Sequence, residues 1–207
     1  MPVFLSSITI ALLYMSVLSF DSTFIAYLKS ETPYSDAFIA GMRGVCVVAG
    51  LLGTFVAPLL VERIGLVRTG SWSLWLEILP LTPVIVALYV GRGTSWNTAM
   101  LFGGLALSRV GLWSFDLAQL AQVQAALAMH PRRNALMALQ FALQNGLDLG
   151  HYALTLGWRR PEQFRNAADV SYAAIGIATL LYVFGYARRE RGHVLHLDKL
   201  GLWKRDR

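Results

Sequence analysis

Asp148 and His151 lie three residues apart in the run 144–152, Gln-Asn-Gly-Leu-Asp-Leu-Gly-His-Tyr, inside a largely apolar stretch. On a helix that spacing puts a carboxylate and an imidazole on one face. Such a pair can ligate Fe, Zn, Co or Mn, and Asn145 on the same face offers a further oxygen. So few donors hold a metal weakly, which suits a cargo that must leave again. The competing structural reading pairs Asp148 with a basic residue and leaves His151 hydrogen-bonded in a helix interface. A second run, 108–116, Ser-Arg-Val-Gly-Leu-Trp-Ser-Phe-Asp, carries Arg109 and Asp116. They share one side of a helix but are too far apart along its axis for a tight pair. Each must reach a partner on another helix, and Arg109 with Asp148 is the match the sequence suggests, as a structural ion pair. Asp21 and Ser22, in Phe20-Asp-Ser-Thr23, could complete a site between the first and fifth apolar stretches. Glu77 has no partner evident from the sequence. His130, Arg132 and Arg133 read as loop charges that set topology.

Ionisable groups in apolar surroundings cost several kcal/mol unless paired, hydrated or bound, and helices that keep them usually line a path or a site. The surroundings here are those of a membrane. The chain has 207 residues, of which 56% are hydrophobic and only 14% charged, with a mean hydropathy of +0.51. A soluble domain of this size carries roughly 25% charged residues. About 20 apolar residues cross a bilayer, and six stretches qualify: 3–28, 37–61, 69–90, 98–117, 135–156 and 167–187. The predicted organisation is a six-helix transmembrane lobe over 1–187 and a basic cytosolic tail over 188–207. The polar Phe20–Thr23 predicts a local unwinding of the first span, allowed only where backbone faces protein or a wet cavity. Pro80 and Pro83 predict a kink in the third. Gly41, Gly44, Ala49, Gly50 and Gly53 in the second predict close helix contact.

The net charge of +6 sits in the tail and in short loops, as expected beside cytosol and anionic lipid. No basic surface interleaved with aromatics appears, which argues against nucleic acid. The excess of Arg63, Arg68, Arg132, Arg133 and the tail over Lys29, Arg92, Arg159, Arg160 and Arg165 places both termini inside. Trp72, Trp96, Trp158 and Trp203 near span ends suit an interfacial belt. The single Cys46 allows no internal disulfide or cysteine cluster. No phosphate loop, nucleophile elbow or His-Glu-x-x-His is present, and a hydrolytic triad would lack small residues around its serine. The chain does not read as an enzyme. No cleavable signal sequence precedes the first span.

The loop 59–70, Leu-Leu-Val-Glu-Arg-Ile-Gly-Leu-Val-Arg-Thr-Gly, resembles the short cytosolic loop of major-facilitator transporters. The run 108–117 resembles the tenth helix of the ferroportin family through Arg, Gly-Leu-Trp-Ser-Phe-Asp-Leu. The likeness continues through Gln144-Asn145, Leu147-Asp148-Leu149 and His151, through Gly65–Gly70, and through Pro2-Val-Phe-Leu, Leu13-Tyr-Met15 and Phe20-Asp21. In order, these correspond to the seventh to twelfth helices of that family.

The resemblance implies an all-α integral membrane fold, the C-terminal lobe of a major-facilitator-type transporter. It implies export of divalent iron, with cobalt, zinc or manganese as related substrates, no resident cofactor, and residence in the plasma membrane or an intracellular one. The family's metal site in this lobe takes His151 together with a Cys that is Ser22 here; Asp21 adjoins it, and Asp148 and Arg109 would orient or neutralise it. A hydroxyl is a harder, poorer ligand than a thiolate. That Cys also serves hepcidin binding in vertebrate members, so hepcidin regulation is not expected. Arg133 corresponds to a cytosolic gate residue. The N-terminal lobe required for alternating access would be a separate partner. The other reading is a non-transporting membrane scaffold, or half-transporter, packing through the glycines of the second span.

Overall fold

The computed structural model describes residues 3–90 and 95–188; the predicted tail beyond Arg188, with Trp203, lies outside the described residues, as does Arg92. Every regular element among them is helical. The helices are α1 (Val3–Tyr14), α2 (Ser22–Glu31), α3 (Asp36–Ile64), α4 (Leu66–Tyr89), α5 (Ser95–Leu127), α6 (Arg133–Gly157) and α7 (Pro161–Ala187).

Four of these, α3, α4, α5 and α7, are long and apolar enough to cross a bilayer. The sequence predicts six spans, and the other two differ for physical reasons. The first is interrupted: α1 has 12 residues, and 15–21 are not helical before α2 begins. The fifth, α6, has 25 residues, but its buried positions are Gln140, Gln144 and His151, while Leu139, Phe141, Leu149, Tyr152 and Leu156 are exposed. An apolar face turned outward around a polar interior lowers the mean hydropathy and marks a helix that lines something.

The interruption begins at residue 15, ahead of Phe20–Thr23, and ends at Asp21. Asp21 is the N-cap of α2, its Oδ1 accepting from the Phe24 N–H at 3.0 Å, so Ser22 and Thr23 belong to the first helical turn. Within the break, the Val17 N–H donates to Ser171 Oγ of α7 at 3.0 Å and the Leu18 N–H to Ser16 Oγ at 3.1 Å. The Leu18 carbonyl accepts from the Arg109 guanidinium of α5. The unwound backbone therefore finds partners on neighbouring helices, the condition under which non-helical chain survives at membrane depth.

α5 is the helix on which the others are stacked. Its Gly104 and Gly111 lie two turns apart along α4. A Cβ at Gly104 would come within 2.4 Å of the Pro80 carbonyl oxygen, and one at Gly111 within 2.5 Å of the Glu77 nitrogen. On the other side, Ser114 Oγ donates to the Gly53 carbonyl of α3 at 2.9 Å. Gly50 and Gly53 are closely packed against Val110 and Trp113, whereas Gly41 and Gly44 have nothing within 4 Å. Half of the predicted glycine stripe thus serves packing inside the chain. The outer face of α3 shows Val45, Val48, Leu52, Phe55 and Leu59, as a lipid-facing helix should.

α3 and α4 join through Gly65 alone, at φ +84°, a conformation that a side chain would strain. The acidic-basic loop predicted over 59–70 reduces to this single-residue corner. α4 remains helical through Pro80 and Pro83. Trp72 and Trp96 are exposed near helix starts, and Trp158 caps the end of α6.

Away from the break, buried amides tie the bundle together. Gln122 of α5 donates to Tyr182 Oη of α7 at 2.6 Å and accepts from Ser6 of α1 at 3.1 Å. Gln140 of α6 donates to Gln119 at 2.9 Å. Paired this way, buried amides specify register between helices. The glycine contacts predict that Gly111→Ala forces α4 and α5 apart, at a cost of about 1–3 kcal/mol. A fall in the thermal unfolding midpoint is expected for Gly111→Ala and none for Gly41→Ala, measured side by side in detergent.

Candidate metal-handling site

The break, α4, α5 and α6 enclose a cavity of about 270 Å³, with room for a cation and several waters. Tyr14, Ser16, Leu18 and Ser19 line it from the first span and its break. Glu77 comes from α4, Ser108, Arg109 and Asp116 from α5, and Asp148 and His151 from α6.

His151 is buried, at 8% exposure, yet its ring is not wedged among aliphatic groups alone. Nδ1 lies 3.4 Å from Asp148 Oδ1, one turn earlier on α6, and Nε2 lies 3.8 Å from Asp21 Oδ2 at the end of the break. Nδ1 has no hydrogen-bond partner, and both separations exceed a good hydrogen bond. Two ligand atoms on one tetrahedral metal, with bonds near 2.1 Å, sit about 3.4 Å apart. Nε2 and Asp21 are spaced a few tenths of an ångström beyond that. One Asp21 oxygen is held by the α2 cap, which leaves the other aimed at the imidazole.

Among the described residues, no group of three or more His, Cys, Asp or Glu side chains forms a closed metal shell. The two carboxylates flank opposite nitrogens of one ring, so they do not converge on a single point. Ser22 is exposed at the first position of α2 and is not on the cavity wall; Asn145 is exposed on α6. Neither is brought to His151.

The predicted pairing of Arg109 with Asp148 is not formed. Arg109 instead donates to the Leu18 carbonyl and shares the cavity wall with Glu77 and Asp116. Asp148 is given to His151. Asp116 faces the Tyr14 hydroxyl, which Gln144 also approaches. Arg133, at the start of α6, is exposed, with Nε 3.5 Å from Asn134 Oδ1, and lines a separate surface hollow with Gln124 and Met137. It does not belong to the His151 site.

Glu77 was the residue to find. It is 3% exposed, its Oε2 has no hydrogen-bond partner, and it lines the same cavity as Arg109. A lone carboxylate within an apolar span already signalled this.

A family model described as Ferroportin1 (FPN1) matches residues 1–175. The chain belongs to the ferroportin family. It is therefore a multi-pass membrane protein, of a transporter family and not an enzyme family. Solute carrier family 40 member 1 of Arabidopsis thaliana is 34% identical over 201 residues, covering 97% of this chain and 37% of that protein. The ferreportin of Bdellovibrio bacteriovorus is 30% identical, covering 88% and 41%, and human ferroportin 24%, covering 94% and 43%. A bacterial homologue of the iron transporter ferroportin superposes in its inward-facing crystal structure with a TM-score of 0.81 at 28% identity, over 90% of this chain and 45% of that one. An outward-facing structure gives 0.82 at 29%, over 89% and 45%. The chain thus spans about two fifths of the length of these curated ferroportin relatives.

The double duty of Asp21, cap and site carboxylate, separates stability from site chemistry. Asp21→Ala should cost about 1 kcal/mol through the lost cap, whereas Asp21→Asn, an equally good cap, should melt within a few tenths of wild type. Thermal unfolding of the two variants checks this.

Proposed function

We propose that this chain is the C-terminal lobe of an exporter of divalent iron, with Co2+, Zn2+ or Mn2+ as chemically related substrates. In this reading the interrupted α1–α2 pair is one transmembrane pass and the polar α6 another, which gives the six passes of one major-facilitator lobe. The observation that carries the proposal is the buried His151 imidazole facing Asp21 across 3.8 Å at the edge of a charged cavity.

The substrate ion would take Nε2 of His151 and Oδ2 of Asp21, with water filling the remaining positions. Asp148 would accept the Nδ1 proton, fixing the tautomer that leaves Nε2 free for the metal, the usual carboxylate–histidine–metal arrangement. A nitrogen and oxygen donor set without sulfur suits Fe2+, Mn2+ and Co2+ and does not favour soft ions. Two protein ligands hold such an ion loosely enough to let it go. Ser22, where the family's ligand position falls, would not ligate the ion directly, since it starts α2 facing outward while Asp21 makes the cap. The reading includes no hepcidin contact at Ser22.

Alternating access needs a second lobe rocking against this one. The relatives are more than twice as long as the matched region, which supports an N-terminal lobe as the obligatory partner. Arg133, far from the cavity, suits a gate at the start of α6 that meets acidic groups of that partner.

His151→Ala should weaken Fe2+ or Co2+ binding by about tenfold or more and lower iron efflux from cells expressing the two-lobe transporter. Isothermal titration with Co2+ and 55Fe efflux are the measurements. Unchanged binding and efflux would remove His151 from the mechanism.

A further inference from the structure

The cavity holds a charge problem that the metal reading leaves open. Arg109 puts a full positive charge on the wall of a site meant to admit a divalent cation. In a membrane interior that repulsion is poorly screened. Arg109 is nevertheless needed where it is, because its guanidinium donates to the Leu18 carbonyl of the break that delivers Asp21.

Glu77 answers this. It comes from a different helix, α4, and is held there by the close crossing at Gly111, whose missing Cβ would strike the Glu77 backbone nitrogen. Its carboxylate is buried, lines the same cavity, and keeps Oε2 free of any hydrogen bond. Arg109 and Glu77 line one cavity from different helices, and Glu77 is the most deeply buried carboxylate on its wall, Asp116 and Asp148 being only partly buried. The two do not close into a contact pair. Coulomb attraction across a low-dielectric cavity requires no contact, so the charge can be balanced while Arg109 remains on its carbonyl.

We infer that Glu77 is a positioning and specificity-determining residue: it is a counter-ion of Arg109, and it makes the cavity beside His151 acceptable to a divalent cation. With Glu77 neutral, Arg109 would be offset only by the less buried Asp116 and Asp148, and the field opposing an incoming ion would act on each of its two charges. This inference rests on the metal site proposed above.

The test is Co2+ titration of the full-length protein in lipid nanodiscs. Glu77→Gln should weaken Co2+ binding by about tenfold to a hundredfold, the range seen when a group outside the ligand shell is lost. Adding Arg109→Gln to Glu77→Gln should recover most of that affinity, because the opposing charge is then gone; a purely structural role for Glu77 would not be rescued this way. Glu77→Asp should bind within about threefold of wild type. If Glu77→Gln is not recovered as a monodisperse protein, Glu77→Leu takes its place, since apolar replacements of buried ions are often tolerated. Wild-type affinity in Glu77→Gln, or a double variant no tighter than the single, overturns the inference. His151→Ala in the same titration separates the two claims. Loss there with Glu77→Gln unaffected refutes only the role of Glu77, and no loss there refutes the metal site itself.

Discussion

One stretch of unwound backbone, residues 15–21, carries the rest. A continuous first span would bury Asp21 in a helix wall, with its side chain fixed by helical geometry. The interruption turns that residue into the cap of a new helix and leaves one carboxylate oxygen free to face His151. Unwinding exposes backbone groups that lipid cannot satisfy. Three polar contacts, from Ser16, Ser171 and Arg109, satisfy the Val17 and Leu18 N–H groups and the Leu18 carbonyl at the centre of the break. Two of them come from helices distant in sequence, so the break exists only when the bundle is assembled.

The assembly in turn depends on how closely α5 can approach its neighbours. Gly104 and Gly111 let α4 close on one side, and Gly50 and Gly53 let α3 close on the other. That closeness brings Glu77 and Arg109 to a common cavity from different helices. Packing of small residues and placement of charge are one feature, since in lipid the apolar surfaces give little drive to associate and contact must come from shape. The buried amides Gln119, Gln122 and Gln140 lock α5 to α6 and α7 elsewhere along its length.

The sequence displayed much of this. The family's Gly-Leu-Trp-Ser-Phe-Asp string, the Asp148–His151 spacing and the polar interruption at Asp21 were all readable, and Asp148 does meet His151. Three points were not. The break begins at residue 15, more than a turn ahead of its polar residues, and Asp21 ends it as the cap of the second half. Arg109 chooses a backbone carbonyl over Asp148, a preference invisible without knowing that the break leaves Leu18 unpaired. Glu77 showed no partner along the chain because Arg109, which shares its cavity, is on the helix crossing at Gly111. Helix spacing reports faces along one helix; it does not report which faces meet. Ser22 shows the converse limit, since correspondence in sequence assigned it to the site while the helix start turns it outward, with Asp21 the residue that reaches the ring.

The central claim is that a substrate cation binds between the imidazole of His151 and the carboxylate of Asp21. X-ray absorption of the Co2+-loaded protein tests this most directly. One imidazole and otherwise oxygen neighbours at about 2.1 Å, with no sulfur, is the spectrum this account predicts, the imidazole signature vanishing in His151→Ala. A shell without imidazole, or one unchanged by that substitution, would contradict it.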